Sequence, residues 1–585
     1  MAQADGPEAR SLFAEWLIRF GAAVEGRSAS DVLTLVAGDC YWRDLLALTW
    51  DLGTYHGEAA IEKLLVGSLD GAEARSFALE ETFGPRIVGS TDPTIEGFFT
   101  FETETAWCRG VAKLVNVDGG WVASAVMTGV EDIKGHERAL GERRPIGPRH
   151  VPGTSSRSNW QDRRRVEVAF TNREPEVVII GAGQGGLAVA ANLRLMGVDA
   201  LILEKSDRVG DGWRRRYHSL VLHDPVWADS LPYLPFPESW PIYSAKDKIA
   251  DWFESYAAAM ELNVWTNADL YESSYDAAQG RWTLQVRTPE GERVLCPRDL
   301  ILATGAAAEV NLPDFPGREL FGGTSYHSSQ HVSGADRAGQ RVVVIGACNS
   351  AHDIAQDLYE SGADVTMVQR SSTHIISQEN GIPAIFGANF TQGGPPTEYA
   401  DLLASATPWP QVLELAVEGT KQTAEKDADL LAALDAVGFK RNDGPGGTGL
   451  MGYALERGGG YYINVGCSDL IAERKVHLAQ GAGLSAFTPT GVLLADGREL
   501  PADLVVLATG YKNMRETARR ILGDDIADQC STVLGIGEDG EIGGLYRRTG
   551  APGFWFMGGP LAWVRIYAKH LALQIVAIQK GVIPR

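Results

Sequence analysis

Apolar positions recur with two different periods along this chain. Between residues 9 and 130 the pattern opens on a helical stretch and places a short strand around Tyr41–Asp44 and a helix at Glu58–Leu65. It then alternates apolar with polar over Gly97–Glu104, Ala106–Val117 and Gly120–Thr128, with Asp118-Gly119-Gly120 supplying hairpin turn chemistry. Helices followed by a meander predict a small α+β unit over residues 1–133. Residues 134–174 turn Arg-, Pro- and Ser-rich without sustained apolar periodicity, the pattern of a linker wrapped over a neighbouring unit.

From Glu176 short β-branched runs alternate with helix-patterned stretches, as in parallel sheets built from βαβ units. The organisation repeats. A strand, a glycine-rich loop and a helix begin near Val177 and again near Val342, and each is followed much later by a strand ending in Ala-Thr-Gly. Such duplication predicts two dinucleotide sites. Within the second repeat, residues 380–460 are a helix-patterned and glycine-rich insertion before the second sheet resumes at GGGYYINVG. An insertion of this length is expected to act as a mobile cap that shapes a substrate pocket.

Charge narrows the partners. Acidic residues outnumber basic ones by 75 to 53, a net charge of −22, which disfavours nucleic acid and anionic membranes and leaves a small molecule as the expected substrate. The first residues carry acids where a signal peptide needs Lys or Arg, and no run reaches about 18 consecutive apolar residues, so a cytoplasmic protein is expected. Six cysteines at 40, 108, 296, 348, 467 and 530 show neither CxxC nor Cys/His metal spacing, so neither a redox dithiol nor a metal site is expected.

The first loop carries the clearest chemistry. In GAGQGG, Gly181 allows the tight turn, Gly183 lets the backbone approach a pyrophosphate and Gly186 permits close packing of helix on strand, with Gln184 and Gly185 between them. The phosphates then meet the helix N-terminus. Glu204, followed by Lys205, ends the next strand where a ribose-binding acid is expected. The second loop keeps Gly346 but has Cys348 at the second glycine position and Ala351 at the third, with Asn349 and Ser350 between. Its next strand ends in Arg370 and Ser371; an arginine there holds a 2′-phosphate rather than a bare ribose. The two sites therefore differ in kind, FAD belonging in the first and NADPH in the second.

Phe321-Gly322-Gly323-Thr324-Ser325-Tyr326-His327, directly before the second loop, resembles the FxGxxxHxxx[YF] fingerprint of the class B flavin monooxygenases, although the last position here is His331. ILATG with Thr304 and Gly305, and VLATGY with Thr509 and Gly510, are similar to the family's crossover segments between the two domains. GDGW, with Gly212 and Trp213, and LPFP at 234–237 are similar to the stretch flanking the flavin, and Gly558 and Gly559 complete the expected cofactor contacts. The resemblance covers residues 176–585 and implies an α/β fold of two Rossmann-type domains. FAD would take 175–330 with 511–585, and NADPH would take 331–510 around the insertion. The unit at 1–133 resembles the cone-shaped SnoaL-like fold, in which Trp42, Asp44 and His56 would line a cavity; as an appendage it would serve packing or a homodimer contact. Since every redox motif lies beyond Glu176, FAD binding is expected to survive its removal.

The resemblance implies an NADPH- and O2-dependent monooxygenase in which the reduced flavin carries oxygen as a C(4a)-hydroperoxide and passes one atom to a small organic substrate. Absence of the Trp that ends the Baeyer–Villiger fingerprint favours oxygenation at N or S. Baeyer–Villiger oxidation, or oxidative decarboxylation of a 2-oxo acid as in the YUCCA members, stays open, as does an FAD-binding protein without turnover, which Cys348 supports. A disulfide reductase of the same architecture would need a flavin-adjacent cysteine pair that this chain lacks. In the family the residue at His327 positions the cofactors between the domains. His223 falls where animal members have an asparagine near the flavin, and it or Asp224 is the candidate polar contact to the oxygen-bearing flavin.

Overall fold

The computed structural model describes residues 6–89, 92–147 and 158–585; the first five residues and the middle of the expected linker, 148–157, lie outside it. Among the described residues the strands form three principal sheets. The first belongs to the N-terminal unit. Val36–Leu45 pairs antiparallel with Leu52–His56 and parallel with Gly120–Ile133, and the sheet continues through Ala106–Val117 and Thr94–Glu102 to Arg75–Leu79. Asp118 and Gly119, both at positive φ (52° and 85°), close the long hairpin. Helix Pro7–Glu25 lays Phe13, Trp16, Leu17, Phe20 and Val24 along one buried stripe against Phe77 and Phe99 of the sheet.

Trp42, Asp44 and His56 do not line a common cavity. Trp42 donates its indole N–H to Thr128 (3.1 Å), whose hydroxyl donates to Asp44 (2.8 Å). The Asp44 carboxylate also accepts the backbone N–H groups of Leu48 and Thr49, so the pair is a buried strut that holds the turn after the strand. His56 is exposed and stacked on Tyr41.

The other two principal sheets are wholly parallel and built alike. One runs Val264–Trp265, Ala200–Leu203, Val177–Ile180, Asp299–Leu302, Phe554–Phe556; the other runs Thr324–His327, Leu504–Leu507, Arg341–Ile345, Asp364–Gln369, His477–Gln480. In each, the strand before the glycine loop lies between the next βαβ strand and the strand ending in Ala-Thr-Gly. Both faces are covered, which is why these strands read as unbroken apolar runs rather than alternating ones.

Two boundaries differ from those expected. The fingerprint Thr324–His327 is itself an edge strand of the second sheet, so that sheet begins before residue 331. Tyr461–Asn464 does not resume it; this run pairs with His374–Ser377 in a separate two-stranded sheet, and the main sheet continues at His477–Gln480. The insertion folds as helices Gln378–Phe386, Thr397–Ser405, Trp409–Lys426, Ala428–Ala436 and Gly449–Arg457. The C-terminal helix Leu561–Gln579 is long and apolar enough to cross a membrane by length and composition, but most of it is buried inside the protein, between Gln184–Leu195 and the N-terminal sheet.

The N-terminal unit is welded to the rest. Arg43, 1% exposed, donates through Nε and Nη2 to the Glu541 carboxylate (2.7 and 2.6 Å) and through Nη1 to the Ser405 carbonyl (2.9 Å). Lys569 and Arg138 meet on Glu131, and Tyr399 stacks on Phe83. Glu541, 2% exposed, has its side-chain partners Arg43 and Thr54 in this unit, so the two parts share a buried polar seam. Arg43→Met should therefore cost about 3–5 kcal/mol, the usual penalty for orphaning a buried charge. Pairing it with Glu541→Gln should recover most of that loss; denaturant unfolding of the single and double variants checks the order.

Candidate functional site

Both glycine loops sit at the carboxyl ends of their parallel strands. In the first, Gly181 is at φ +106°, and a Cβ there would lie 2.8 Å from the Ala303 carbonyl; one on Gly186 would lie 2.0 Å from the Gly181 carbonyl. These two glycines are required by the protein itself. Gly183, which caps helix Gln184–Leu195, has no neighbour within 4 Å of its Cβ position, so only a ligand would need it bare. Glu204 folds back over the loop, accepting from the Ala182 and Ser206 N–H groups (both 2.8 Å). Gln184 donates to the Gly559 carbonyl (3.3 Å), Gly185 packs on Met557, and Gly558 leads into the N-terminus of helix Leu561–Gln579. Thr304, beside Gly305, keeps a buried hydroxyl with no protein partner. Gly212 and Trp213 lie in the short helix Asp211–Arg214. Lys205 points away: it is 79% exposed and 3.8 Å from Asp269.

In the second loop Gly346 is at φ +130° against the Ala508 carbonyl, and Cys348 caps helix Asn349–Glu360 as Gly183 caps its counterpart. Ala351 is buried in the helix packing, Ser350 is half-buried, and the Asn349 side chain accepts the Ile463 N–H (3.0 Å). Burial raises the Cys348 thiol pKa, opposed by its hydrogen bond to the Gly460 backbone and by Arg457. Arg370 and Ser371 are exposed where strand Asp364–Gln369 ends. The insertion brings a second cation that sequence reasoning missed: Lys440 is bound through its backbone to the Gln369 side chain, and its ammonium lies beside Gln480 at the end of the neighbouring strand. No local motif marks it.

His327 ties the fingerprint strand to the second Ala-Thr-Gly turn. Its Nδ1 accepts the Ser329 N–H (3.1 Å), which leaves Nε2–H to donate to the Gly510 carbonyl (3.0 Å). The ring is therefore neutral, and burial lowers its pKa further. Asn311 also donates its N–H to Gly510 and takes the Thr509 hydroxyl, so this segment is held from two directions.

A cavity of about 410 Å³ opens where these parts meet the insertion. Asp224, Tyr461, Pro560 and Trp563 line it on the side of the loops, and insertion helices supply residues such as Phe386, Trp409 and Leu450. Among the described residues no Lys or Arg lines it. Asp224 is its one carboxyl group, and burial pushes that group's pKa up to about 6. Asp229 behind it is raised well above the usual range, by burial first and then by Asp224. The guanidinium that acts on Asp229, Arg565, is committed to Asp401 in a bidentate pair (2.8 and 2.6 Å). His223 turns the other way; burial lowers its pKa, and Asp353 of helix Asn349–Glu360 partly offsets this. His374, which does line the cavity, is likewise kept neutral by burial and spends Nδ1 on the Asn442 carbonyl (2.9 Å).

Residues 178–381 match the family model described as pyridine nucleotide-disulphide oxidoreductase. All six cysteines are unpaired. The chain is 35% identical over 343 residues to the indole-3-pyruvate monooxygenase YUCCA1 of Oryza sativa subsp. japonica, covering 58% of this chain and 77% of that relative. To the probable indole-3-pyruvate monooxygenase YUCCA3 of Arabidopsis thaliana it is 34% identical over 344 residues, 57% of this chain and 73% of the relative. Among solved structures, an ε-caprolactone-bound cyclohexanone monooxygenase shares the fold at 17% identity and a TM-score of 0.51, covering 70% of this chain and 88% of that one. An OTEMO complex with FAD and NADP does so at 21% and 0.51, covering 70% and 86%. With two dinucleotide loops, an unpartnered Thr304 hydroxyl and a fingerprint histidine bonded to the second Ala-Thr-Gly turn, the chain belongs to the class B flavin-dependent monooxygenase family.

Proposed function

We propose that this chain is an FAD-, NADPH- and O2-dependent oxygenase that transfers one oxygen atom to the sulfur or nitrogen of a largely apolar small molecule, in a reducing, cytoplasmic compartment. The observation that carries the substrate reading is the cavity itself: large enough for a drug-sized molecule and lined without Lys or Arg among the described residues. FAD supplies the redox and oxygen-carrying chemistry that side chains lack. The Gly181–Gly186 loop, Glu204, Thr304 and Gly558-Gly559 fit it, because the open Gly183 and the unpartnered Thr304 hydroxyl both await a ligand. The Gly346–Ala351 loop with Arg370 and Lys440 would hold NADPH. His327 keeps the two sites in register through Gly510, and the apolar lining keeps water from the reacting atoms. We read residues 1–133 as SnoaL-like, on the support of a helix cradled by a bent, mostly antiparallel sheet.

A second reading, oxidative decarboxylation of a 2-oxo acid, is favoured by the names of the YUCCA relatives. It requires burying a carboxylate against a wall with no cation. A panel of a thioether, a tertiary amine, a cyclic ketone and an arylpyruvate, given NADPH and O2 and followed by product mass, separates the readings. Sulfoxide or N-oxide supports ours; an arylacetic acid with CO2 overturns it.

Three further outcomes are expected. Gly183→Val should fold but purify colourless, since its side chain meets no protein atom, whereas Gly186→Val should fail to fold. Visible absorbance and thermal melting distinguish them. Arg370→Ala should weaken NADPH about tenfold, and Arg370→Ala with Lys440→Ala about a hundredfold or more, at about 1.5–3 kcal/mol per charge-assisted bond and 1.4 kcal/mol per decade. NADH should barely change in the same flavin-reduction titration.

The third concerns pH. An uncharged thioether entering the cavity strips water from Asp224, which costs the ionised form more than the protonated one. Its KM should therefore fall as pH is lowered through about 6, the value to which burial lifts this carboxyl group. Asp224→Asn should hold the low KM at every pH. A variant that keeps the wild-type profile would assign the titration to another group.

A further inference from the structure

The cavity's far wall is held by the N-terminal unit. Besides Glu541, the Arg43 guanidinium binds the Tyr567 hydroxyl (2.7 Å) and lies over the rings of Trp409 (5.5 Å) and Tyr567 (5.6 Å). Both rings line the cavity, and Trp409 meets Trp563, another lining residue, edge to face at 4.9 Å. Two further side chains of the same sheet reinforce this corner. Lys113 donates to the hydroxyl of Thr407, itself a lining residue (3.1 Å), and Tyr41 donates to Glu414 on helix Trp409–Lys426 (2.8 Å). The turn between helices Thr397–Ser405 and Trp409–Lys426 is thus fixed by residues that lie more than 280 positions away in the chain.

From this geometry we infer that Arg43 is a positioning residue for the substrate pocket: through Trp409 and Tyr567 the N-terminal unit sets the size of molecule the oxygenase accepts. The inference rests on the cavity being the substrate site. Its physical basis is the planar fork of donors. One guanidinium reaches the Glu541 carboxylate, the Ser405 carbonyl and the Tyr567 hydroxyl while lying within cation–π distance of two rings. A lysine ammonium keeps the charge but satisfies fewer of these groups at once and does not stack as a plane. With arginine the corner has one arrangement; with lysine the Trp409 and Tyr567 rings lose a shared support.

The test uses the full chain loaded with FAD and two thioether probes, methyl phenyl sulfide and the bulkier benzyl phenyl sulfide. Arg43→Lys keeps a cation beside Glu541, and Arg43→Met with Glu541→Gln removes the pair without orphaning a charge, so one of the two should fold. Flavin content and the rate of flavin reduction by NADPH should stay within about twofold of wild type, because Arg43 touches neither glycine loop. Binding of each sulfide, read from the perturbation of flavin absorbance without turnover, should weaken about tenfold for the bulky probe and little for the small one. KM should shift likewise with kcat nearly unchanged, and the yield of sulfoxide per NADPH should fall for the bulky probe.

Affinities unchanged from wild type for both probes, or weakened alike for both, in a folded, flavin-loaded variant would overturn the inference and leave Arg43 a stability element. A parallel loss of flavin reduction would overturn it too, by showing that the substitution disturbs the cofactor sites. Binding to wild type without oxygenation of either sulfide would defeat the functional reading while the affinities still decide the role of Arg43. No binding of either probe to wild type would refute the inference directly.

Discussion

Parallel strands end on one side, and that constraint places nearly everything with chemistry in this protein. In the first sheet the strands ending at Ile180, Leu203, Leu302 and Phe556 are followed by Gly181, Glu204, the Ala303-Thr304-Gly305 turn and Gly558-Gly559. In the second, Ile345, Gln369 and Leu507 lead into Gly346, Arg370 and Thr509-Gly510. Each helix that crosses back must begin at this edge, so its free N–H groups point at whatever binds there. The His327–Gly510 bond then links the fingerprint strand to the second Ala-Thr-Gly turn. A neutral imidazole suits that task, because a charged one would need a counterion the site does not provide.

The N-terminal unit obeys a different constraint. A buried guanidinium is tolerable only when its donors are met, and Arg43 finds its acceptors on two other parts of the chain. Burial works against its charge, but Glu541 and Tyr567 outweigh this and hold its pKa above the usual value. The partners are therefore mutually dependent: Glu541 and the Ser405 carbonyl need Arg43 as much as Arg43 needs them. A unit attached only by surface contacts would leave such groups hydrated.

What was legible in the sequence was what depends on neighbours in the chain. The tight turns at Gly181 and Gly346, the acid at Glu204 and the basic residue at Arg370 follow from local geometry and can be read from spacing. Groups joined across long separations could not. Arg43 beside Asp44 reads as an ordinary strand charge, because its partner stands at position 541. Lys440 belongs to no motif, and it reaches the second sheet only because the chain around it binds Gln369. The run Tyr461–Asn464 has the composition of a core strand, yet its apolar residues are satisfied equally well against His374–Ser377, so composition alone misplaces it. Trp42 and His56 failed as a cavity pair for the same reason: which face of a strand is buried depends on what packs there.

The cavity adds a constraint of its own on what the fold is used for. Burying roughly 200 Å² of apolar ligand surface contributes about 5 kcal/mol, whereas taking an unpaired carboxylate out of water costs several kcal/mol. In a wall with Asp224 as its one carboxyl group and Arg565 already paired, nothing offsets that cost, and an ionised Asp224 would add repulsion. An uncharged substrate meets no such penalty. Asp229 reinforces the selection: burial first, and then Asp224, raises its pKa well above the usual carboxylate range, so a further negative charge beside it would be costly. The same two groups would oppose an anionic substrate most strongly at alkaline pH, where both approach ionisation, and least at acid pH. If the cavity takes the substrate as proposed, charge discrimination there would come from Asp224 in a lining without Lys or Arg among the described residues, in a fold whose relatives are named for a 2-oxo acid.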